Sequence, residues 1–299
     1  MIHQPTLKQL RYLSAVAEHR HFGHAAKACH ISQSTLSAGI QELEQNLDVA
    51  LVERGHKQVL LTPIGEEVVS RSRRILTSVD ELITLCDIES QPLGGRMRLG
   101  VIPTIAPYLL PRLLEGLRQR YPGFQLFIRE DLSDHLVDAL HRGELDVLLL
   151  ALPFPAEQTE TTVLFQDTFR LACPAEHPLL TNTRVKTADL KGQDLLLLEE
   201  GHCLRSHALE ACKLRDLDLA VPYQATSLHT LVQMVANGIG ITLLPAMALE
   251  ANILMGTRVE VRDFDQPVKR DIGLMWRRRT ARKEEFEFLA EAIRSELSE

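Results

Sequence analysis

The 299 residues, 45% apolar and 24% charged, suffice for two or three domains that bury their own cores, and five scattered cysteines exclude a disulfide-framed secreted scaffold. The apolar runs at 147–152 and 195–198 are far short of the ~20 residues that cross a bilayer, and MIHQPTLKQL lacks a signal-peptide core, so a cytoplasmic protein with no membrane partner is expected. The net charge of -7 argues against nucleic acid, but residues 1–62 carry six Lys or Arg against five Asp or Glu, plus six histidines, so the acidity lies elsewhere.

In chain order, Leu7, Leu10, Leu13, Val16 and Ala17 recur at helical steps, predicting an amphipathic helix over 6–19 with Thr6 as N-cap. A short helix, Phe22 to Cys29, rich in small residues, is followed by the break His30-Ile31. Ser32 then caps a third helix whose buried stripe is Leu36, Ile40, Leu43 and Leu47. Two helices joined so tightly form a helix-turn-helix. At the start of the third, Ser32, Gln33, Ser34, Thr35 and Ser37 supply short donors and acceptors suited to base edges and phosphates. Arg54-Gly55-His56-Lys57 precedes the apolar Val59-Leu60-Leu61, as in a basic wing whose Arg54 and Lys57 touch the DNA backbone. A small helical domain without a DNA role fits the same helices.

The run F-G-H-A-A-K-A-C-H-I-S-Q-S-T-L-S-A-G-I-Q-E-L-E-Q-N-L resembles the winged helix-turn-helix of LysR-type transcriptional regulators. The resemblance implies double-stranded DNA as partner. Asp48 stands where that family usually has glycine, and Val52 where it usually has phenylalanine.

Thr62-Pro63 is a helix start, and Val68, Ser72, Ile75, Val79, Leu82 and Cys86 then follow at alternating steps of four and three. That spacing predicts a coiled-coil seam and hence a dimer, with Cys86 as a small apolar seam residue. Pro92-Leu93-Gly94-Gly95 breaks the helix. The expected division is a DNA-binding domain at 1–62, a dimerisation helix at 63–91 and a regulatory domain at 96–299.

From Arg96 onward strands and helices alternate, predicting parallel sheets covered by helices. The strands are expected at 97–102, 124–128, 147–152, 169–173, 195–198, 221–225, 241–244 and 271–276. The helices between them include 204–214 and 228–236. A closing helix carries Phe286, Leu289, Ile293 and Leu297. The LysR-type resemblance implies that this is a two-lobed effector domain like the periplasmic binding proteins, with the last strand and helix returning to the first lobe. Ligands in such sheets bind where strands end and helices begin. Ile102-Pro103-Thr104 and Ala225-Thr226-Ser227 fit that position, and simple helix capping fits them equally.

The stretch G-H-C-L-R-S-H-A-L-E-A-C, 201–212, matches no common zinc spacing. No ordered partner set for nucleophilic hydrolysis accompanies it. Cys203 at a helix N-terminus favours a thiolate, which Arg205 and His202 assist if they turn toward it. Such a thiolate attacks peroxide to give a sulfenic acid. If Cys203 and Cys212 share one helix they lie roughly 13 Å apart on opposite faces. A disulfide needs Cα atoms within about 7 Å, so it would require unwinding.

E-G-H-C-L-R followed by A-C is similar to the peroxide-sensing OxyR branch of the LysR-type family, and the similarity runs over nearly the whole chain. It implies Cys203 as the peroxidatic thiol, Cys212 as its resolving partner in a disulfide switch, and His202 as a neighbour of the reaction. It further implies that Thr104, in I-P-T-I-A-P-Y-L-L-P, holds the peroxide. Ser133, replacing a threonine, adds a second hydroxyl, and Arg270 stabilises the thiolate. Ser34 stands where this branch often has proline. The expectation is a homodimeric or homotetrameric peroxide-responsive regulator, not an enzyme, without cofactor or metal, and with RNA polymerase as a further candidate partner. Its rivals are a LysR-type regulator sensing a small metabolite between the lobes and a thiol peroxidase carrying a DNA-binding head.

Overall fold

Thr6 opens the first helix through a reciprocal cap: its Oγ1 accepts from Gln9 N at 3.2 Å while Gln9 Oε1 accepts from Thr6 N at 2.9 Å. The computed structural model describes residues 4–53, 59–88, 93–212 and 224–298. Helix α1 (Leu7–His19) ends on Arg20. In α2 (Phe22–Ala28) the cap is an imidazole, His21 Nδ1, which accepts from Gly23 N and His24 N at 3.1 and 3.4 Å. Helix α3 (Gln33–Leu47) is capped by Ser32, whose Oγ accepts from Thr35 N at 3.1 Å, and ends on Asp48 in the left-handed conformation, φ 53°. The expected stripe is its buried face: Leu36, Ile40 and Leu43 are fully buried with Leu13 and Ala25.

Strands β1 (Val52–Glu53) and β2 (Leu60–Leu61) pair antiparallel as the stem of a wing. Glu44 on α3 binds that stem, its Oε1 accepting from Leu51 N and Val52 N at 2.8 and 3.1 Å. Val52 is buried in the same core, so the smaller side chain is accommodated. Arg54 and Lys57 lie outside the described residues. Helix α4 (Pro63–Ile88) starts on Thr62, whose Oγ1 accepts from Gly65 N at 3.0 Å. Of the expected seam, Ile75 and Leu82 are 47% and 63% exposed in the single chain. Ser72 departs from the seam: it is buried, as is Val69. The Cys86 side chain and residues 89–91 lie outside the described residues.

The C-terminal part begins with β3 (Arg96–Val101), α5 (Ala106–Arg120), β4 (Gln125–Glu130), α6 (Ser133–His141) and β5 (Val147–Leu152). The long β6 (Thr159–Pro174) follows, then β7 (Arg184–Val185), β8 (Leu195–Leu198), α7 (Cys203–Cys212), β9 (Gln224–Ala225) and α8 (Leu228–Ala236). The chain closes with β10 (Ile241–Pro245), α9 (Ala246–Glu250), β11 (Val259–Phe264), β12 (Lys269–Arg277) and α10 (Lys283–Ser298). Two cores result. One gathers β3, β5 and β12 with Phe286, Leu289 and Ile293 of α10, so the C-terminal strand and helix do return to the first lobe. The other gathers β8, β10 and α8.

The sheet corrects the all-parallel expectation. Within the first lobe β3 is parallel to β4 and β5, and within the second β8 is parallel to β9 and β10. Strands β6 and β12, however, pair antiparallel with each other, and β12 pairs antiparallel with β5 and β6 with β10. The chain crosses between lobes twice, outward on β6 and back on β12. Adjacent crossings in opposite directions form an antiparallel pair. The alternation that reveals parallel units carries no sign of this, because residues 159–168 set one short apolar run, Val163 to Phe165, among Thr, Glu, Gln and Asp on a half-exposed strand. The expected strand at 221–225 is described only as Gln224–Ala225, and the helix only to Cys212. Among the described residues no helix is long and apolar enough to cross a membrane.

Candidate redox site and nucleic-acid interface

Strand β8 delivers the chain to a turn in which Gly201 takes φ 95°, a conformation open to glycine at little cost, and α7 starts at once with Cys203. The thiol therefore sits in the first turn of the helix. Cys203 is 8% exposed and packs into the first lobe's core, whereas Cys212 is 3% exposed and packs into the second lobe's core. Both belong to one unbroken helix, so the two sulfurs are held apart and both are free thiols. Burial pushes the Cys212 thiol up to about 12, which keeps it protonated where it stands.

Cys203 lines a closely packed crevice with Thr104, Ser133 and His202, closed by Ile102, Pro103, Leu132 and Gly201. The residues come from three segments: the end of β3, the start of α6 and the turn before α7. Ser133 Oγ is buried and has no hydrogen-bond partner among the described residues. An unpaired buried hydroxyl is costly, so this one is poised to bond a small polar guest. Burial pushes the His202 pKa below its usual value, opposed by Glu199. Its ring is then neutral at neutral pH and contributes a hydrogen-bonding group beside the sulfur rather than a charge.

Arg270 is held in a buried network that includes Thr104. Its side chain is fully buried, and its guanidinium is engaged by other groups: Nε donates to Asp167 Oδ2 at 3.0 Å, Nη1 to Thr104 Oγ1 at 3.0 Å and Nη2 to the Thr104 carbonyl at 3.2 Å. It thus reaches the pocket through Thr104. Arg205 Nη1 donates to the Leu198 carbonyl at 3.3 Å. Asp167, absent from the sequence reading, is the cross-strand neighbour of Arg270 on β6. Burial raises its pKa, opposed by Arg270 and by the backbone N–H groups of Met247 and Ala246. Only the acidic residue within an otherwise strand-like stretch could have signalled it. His207 bonds the Pro153 carbonyl through Nε2 at 3.2 Å.

Among the described residues no group of three or more His, Cys, Asp or Glu could hold a metal ion. The second ligand candidate resolves toward capping: Ser227 Oγ accepts from Thr230 N at 3.2 Å, and Thr226 is exposed. On α3 the exposed start carries Ser32, Gln33, Ser34 and Thr35, while Ser37 is half-buried. The Ser32 hydroxyl bonds those of Ser34 and Thr35 at 2.9 and 2.7 Å, so these groups form a small preorganised cluster at the helix N-terminus.

Two family models match the chain: the bacterial regulatory helix-turn-helix protein, lysR family, over residues 7–66, and the LysR substrate binding domain over residues 90–298. A probable hydrogen peroxide-inducible genes activator of Streptomyces viridosporus is 42% identical over 293 residues, covering 97% of this chain and 94% of that protein. The transcriptional regulator EstR of Acinetobacter baylyi is 38% identical over 291 residues, with 97% and 96% covered. Among solved structures, a full-length OxyR of Pseudomonas aeruginosa with a cysteine replaced by aspartate matches at a TM-score of 0.81 and 36% identity. That match covers 98% of this chain and 95% of the other.

Proposed function

The chain belongs to the LysR family of transcriptional regulators, and from that premise we propose that it is a cytoplasmic peroxide sensor acting through Cys203 and Cys212. The reading is supported most by one arrangement: a thiol in the first turn of a helix, lining a pocket with an unpaired buried hydroxyl. The similarity to a hydrogen peroxide-inducible activator and to OxyR supports it independently.

In the proposed reaction Cys203 loses its proton to solvent and the thiolate attacks one peroxide oxygen. The S–O bond forms, the O–O bond breaks, and the departing hydroxide takes a proton to become water. Sulfur is oxidised by two electrons and peroxide reduced by two. Cys212 then attacks the sulfenic sulfur, expelling a second water and leaving a Cys203–Cys212 disulfide. Since α7 holds the two apart, the second step requires the helix to unwind, and that remodelling is the signal. Thr104, Ser133 and His202 bind the peroxide, and Arg270 acts on Thr104. Residues 1–62 read DNA through Ser32, Gln33, Ser34, Thr35 and Ser37 and through a wing carrying Arg54 and Lys57. Helix 63–91 pairs two copies, giving a homodimer or homotetramer, 96–299 senses, and RNA polymerase receives the output. The protein turns over no substrate.

Peroxide titration of the purified protein with peptide mapping tests this. One equivalent is expected to convert Cys203 and Cys212 to an intramolecular disulfide, and Cys203 remaining a thiol would refute it. The match to the LysR substrate binding domain favours a second reading, a metabolite-responsive regulator with incidental cysteines. Under that reading the same titration leaves both thiols intact. Consumption of many equivalents in the presence of a thiol reductant would instead identify a peroxidase.

A further inference from the structure

Asp167 and Arg270 sit directly opposite each other on β6 and β12, the two strands by which the chain crosses between lobes. Their side chains are 2% and 0% exposed. Both carboxylate oxygens are used: Oδ2 accepts from Arg270 Nε at 3.0 Å and Oδ1 from Met247 N at 3.2 Å. The fork so anchored reaches Thr104 at two points, its hydroxyl and its carbonyl. Asp167 itself does not line the pocket.

A threonine hydroxyl has one proton to give and two lone pairs, and a guanidinium only donates. The bond from Nη1 therefore occupies a lone pair of Thr104 Oγ1, and the hydroxyl proton must point elsewhere. We propose that Asp167 is a positioning residue of the peroxide reaction, holding Arg270 so that Thr104 is left as a hydrogen-bond donor into the pocket that Cys203 lines. This rests on the peroxide-sensing reading above. When the thiolate attacks and the O–O bond breaks, negative charge develops on the departing oxygen. A fixed O–H stabilises that charge before the hydroxide takes its proton. Dipoles fixed by a second layer of hydrogen bonds do this without reorganising, so the carboxylate acts through two other residues on an atom it never touches.

Asp167→Asn in the full-length protein is the test. The amide keeps the shape but has one acceptor oxygen, and its NH₂ meets a donor at either Arg270 Nε or Met247 N. The guanidinium loses its alignment. The rate of Cys203 oxidation by hydrogen peroxide is expected to fall by about 10- to 100-fold, while alkylation of Cys203 by iodoacetamide, which breaks no O–O bond, stays within about twofold by the same reasoning. In a Thr104→Val background, where the donor is gone, adding Asp167→Asn should change the peroxide rate little, because the two act as one unit. Arg270→Lys keeps the charge pair but has one nitrogen for two partners, so it predicts the same selective loss and stands in if Asp167→Asn does not fold. A wild-type peroxide rate in either variant, equal loss with peroxide and iodoacetamide, or full additivity with Thr104→Val would overturn the assignment. An unreactive Cys203 in the wild type would overturn the parent reading instead.

Discussion

At the residue scale, two cysteines of one helix occupy opposite chemical settings. Cys203 shares a pocket with hydroxyl groups, whereas Cys212 is buried among apolar side chains with its thiol pushed up to about 12. Cys212→Ser should therefore leave the first step intact. Sulfenic acid is expected at Cys203, trapped by dimedone and seen by mass spectrometry, with no intramolecular disulfide. A normal disulfide in that variant would assign the resolving role elsewhere. His202 allows a pH prediction with a defined sign. Burial lowers its pKa below the unfolded value, so the unfolded chain binds the extra proton first as pH falls. Its contribution to stability is complete above the unfolded pKa of about 6.5 and is lost as pH falls toward the folded one. The urea midpoint should drop between pH 7 and pH 5.5, and His202→Gln should shrink that drop.

At the element scale the decisive feature is α7, which must come apart for its two ends to meet. Ser206 is exposed on this helix, and Ser206→Gly weakens the helix by about 0.5 kcal/mol without touching either thiol. Sulfenic acid formation should keep its rate while disulfide formation speeds up by roughly twofold, the factor that energy implies. Quenched-flow alkylation separates the steps, and equal acceleration of both would deny that unwinding gates the second. The existence of α7 was legible locally, from a turn glycine and the apolar residues after Cys203. The stem of the wing was also legible, but its bond to Glu44 was not, because a glutamate on a helix does not announce which backbone N–H groups seven and eight residues on it will meet.

At the scale of the molecule, the helix-turn-helix and substrate-binding matches lie in different parts of the chain, and the exposed Ile75 and Leu82 of α4 offer the surface that would pair two copies. Leu82→Glu places a charge on that stripe without disturbing a buried side chain. It should shift the protein to lower mass in sedimentation equilibrium and weaken DNA binding by at least tenfold, since two half-sites no longer bind together. Peroxide reactivity of Cys203 should survive. Gln33→Ala should likewise weaken DNA binding, in gel shift, with unchanged mass and unchanged oxidation. Loss of oxidation in either variant would argue against separable modules.

What the sequence by itself determined was whatever depends on near neighbours. Thr6, Ser32 and Thr62 cap their helices as local chemistry requires, Asp48 closes one, and nine steps of helix separate Cys203 from Cys212. Only the tertiary structure decided that β6 and β12 run antiparallel with Asp167 opposite Arg270, and that Thr104, Ser133 and Cys203, drawn from three distant segments, share one pocket. The reason is the range of the forces. A cap or an apolar stripe is satisfied within a turn or two of helix, whereas strand register across a hundred residues is chosen by which packing of two whole lobes buries the most apolar surface with its polar groups paired.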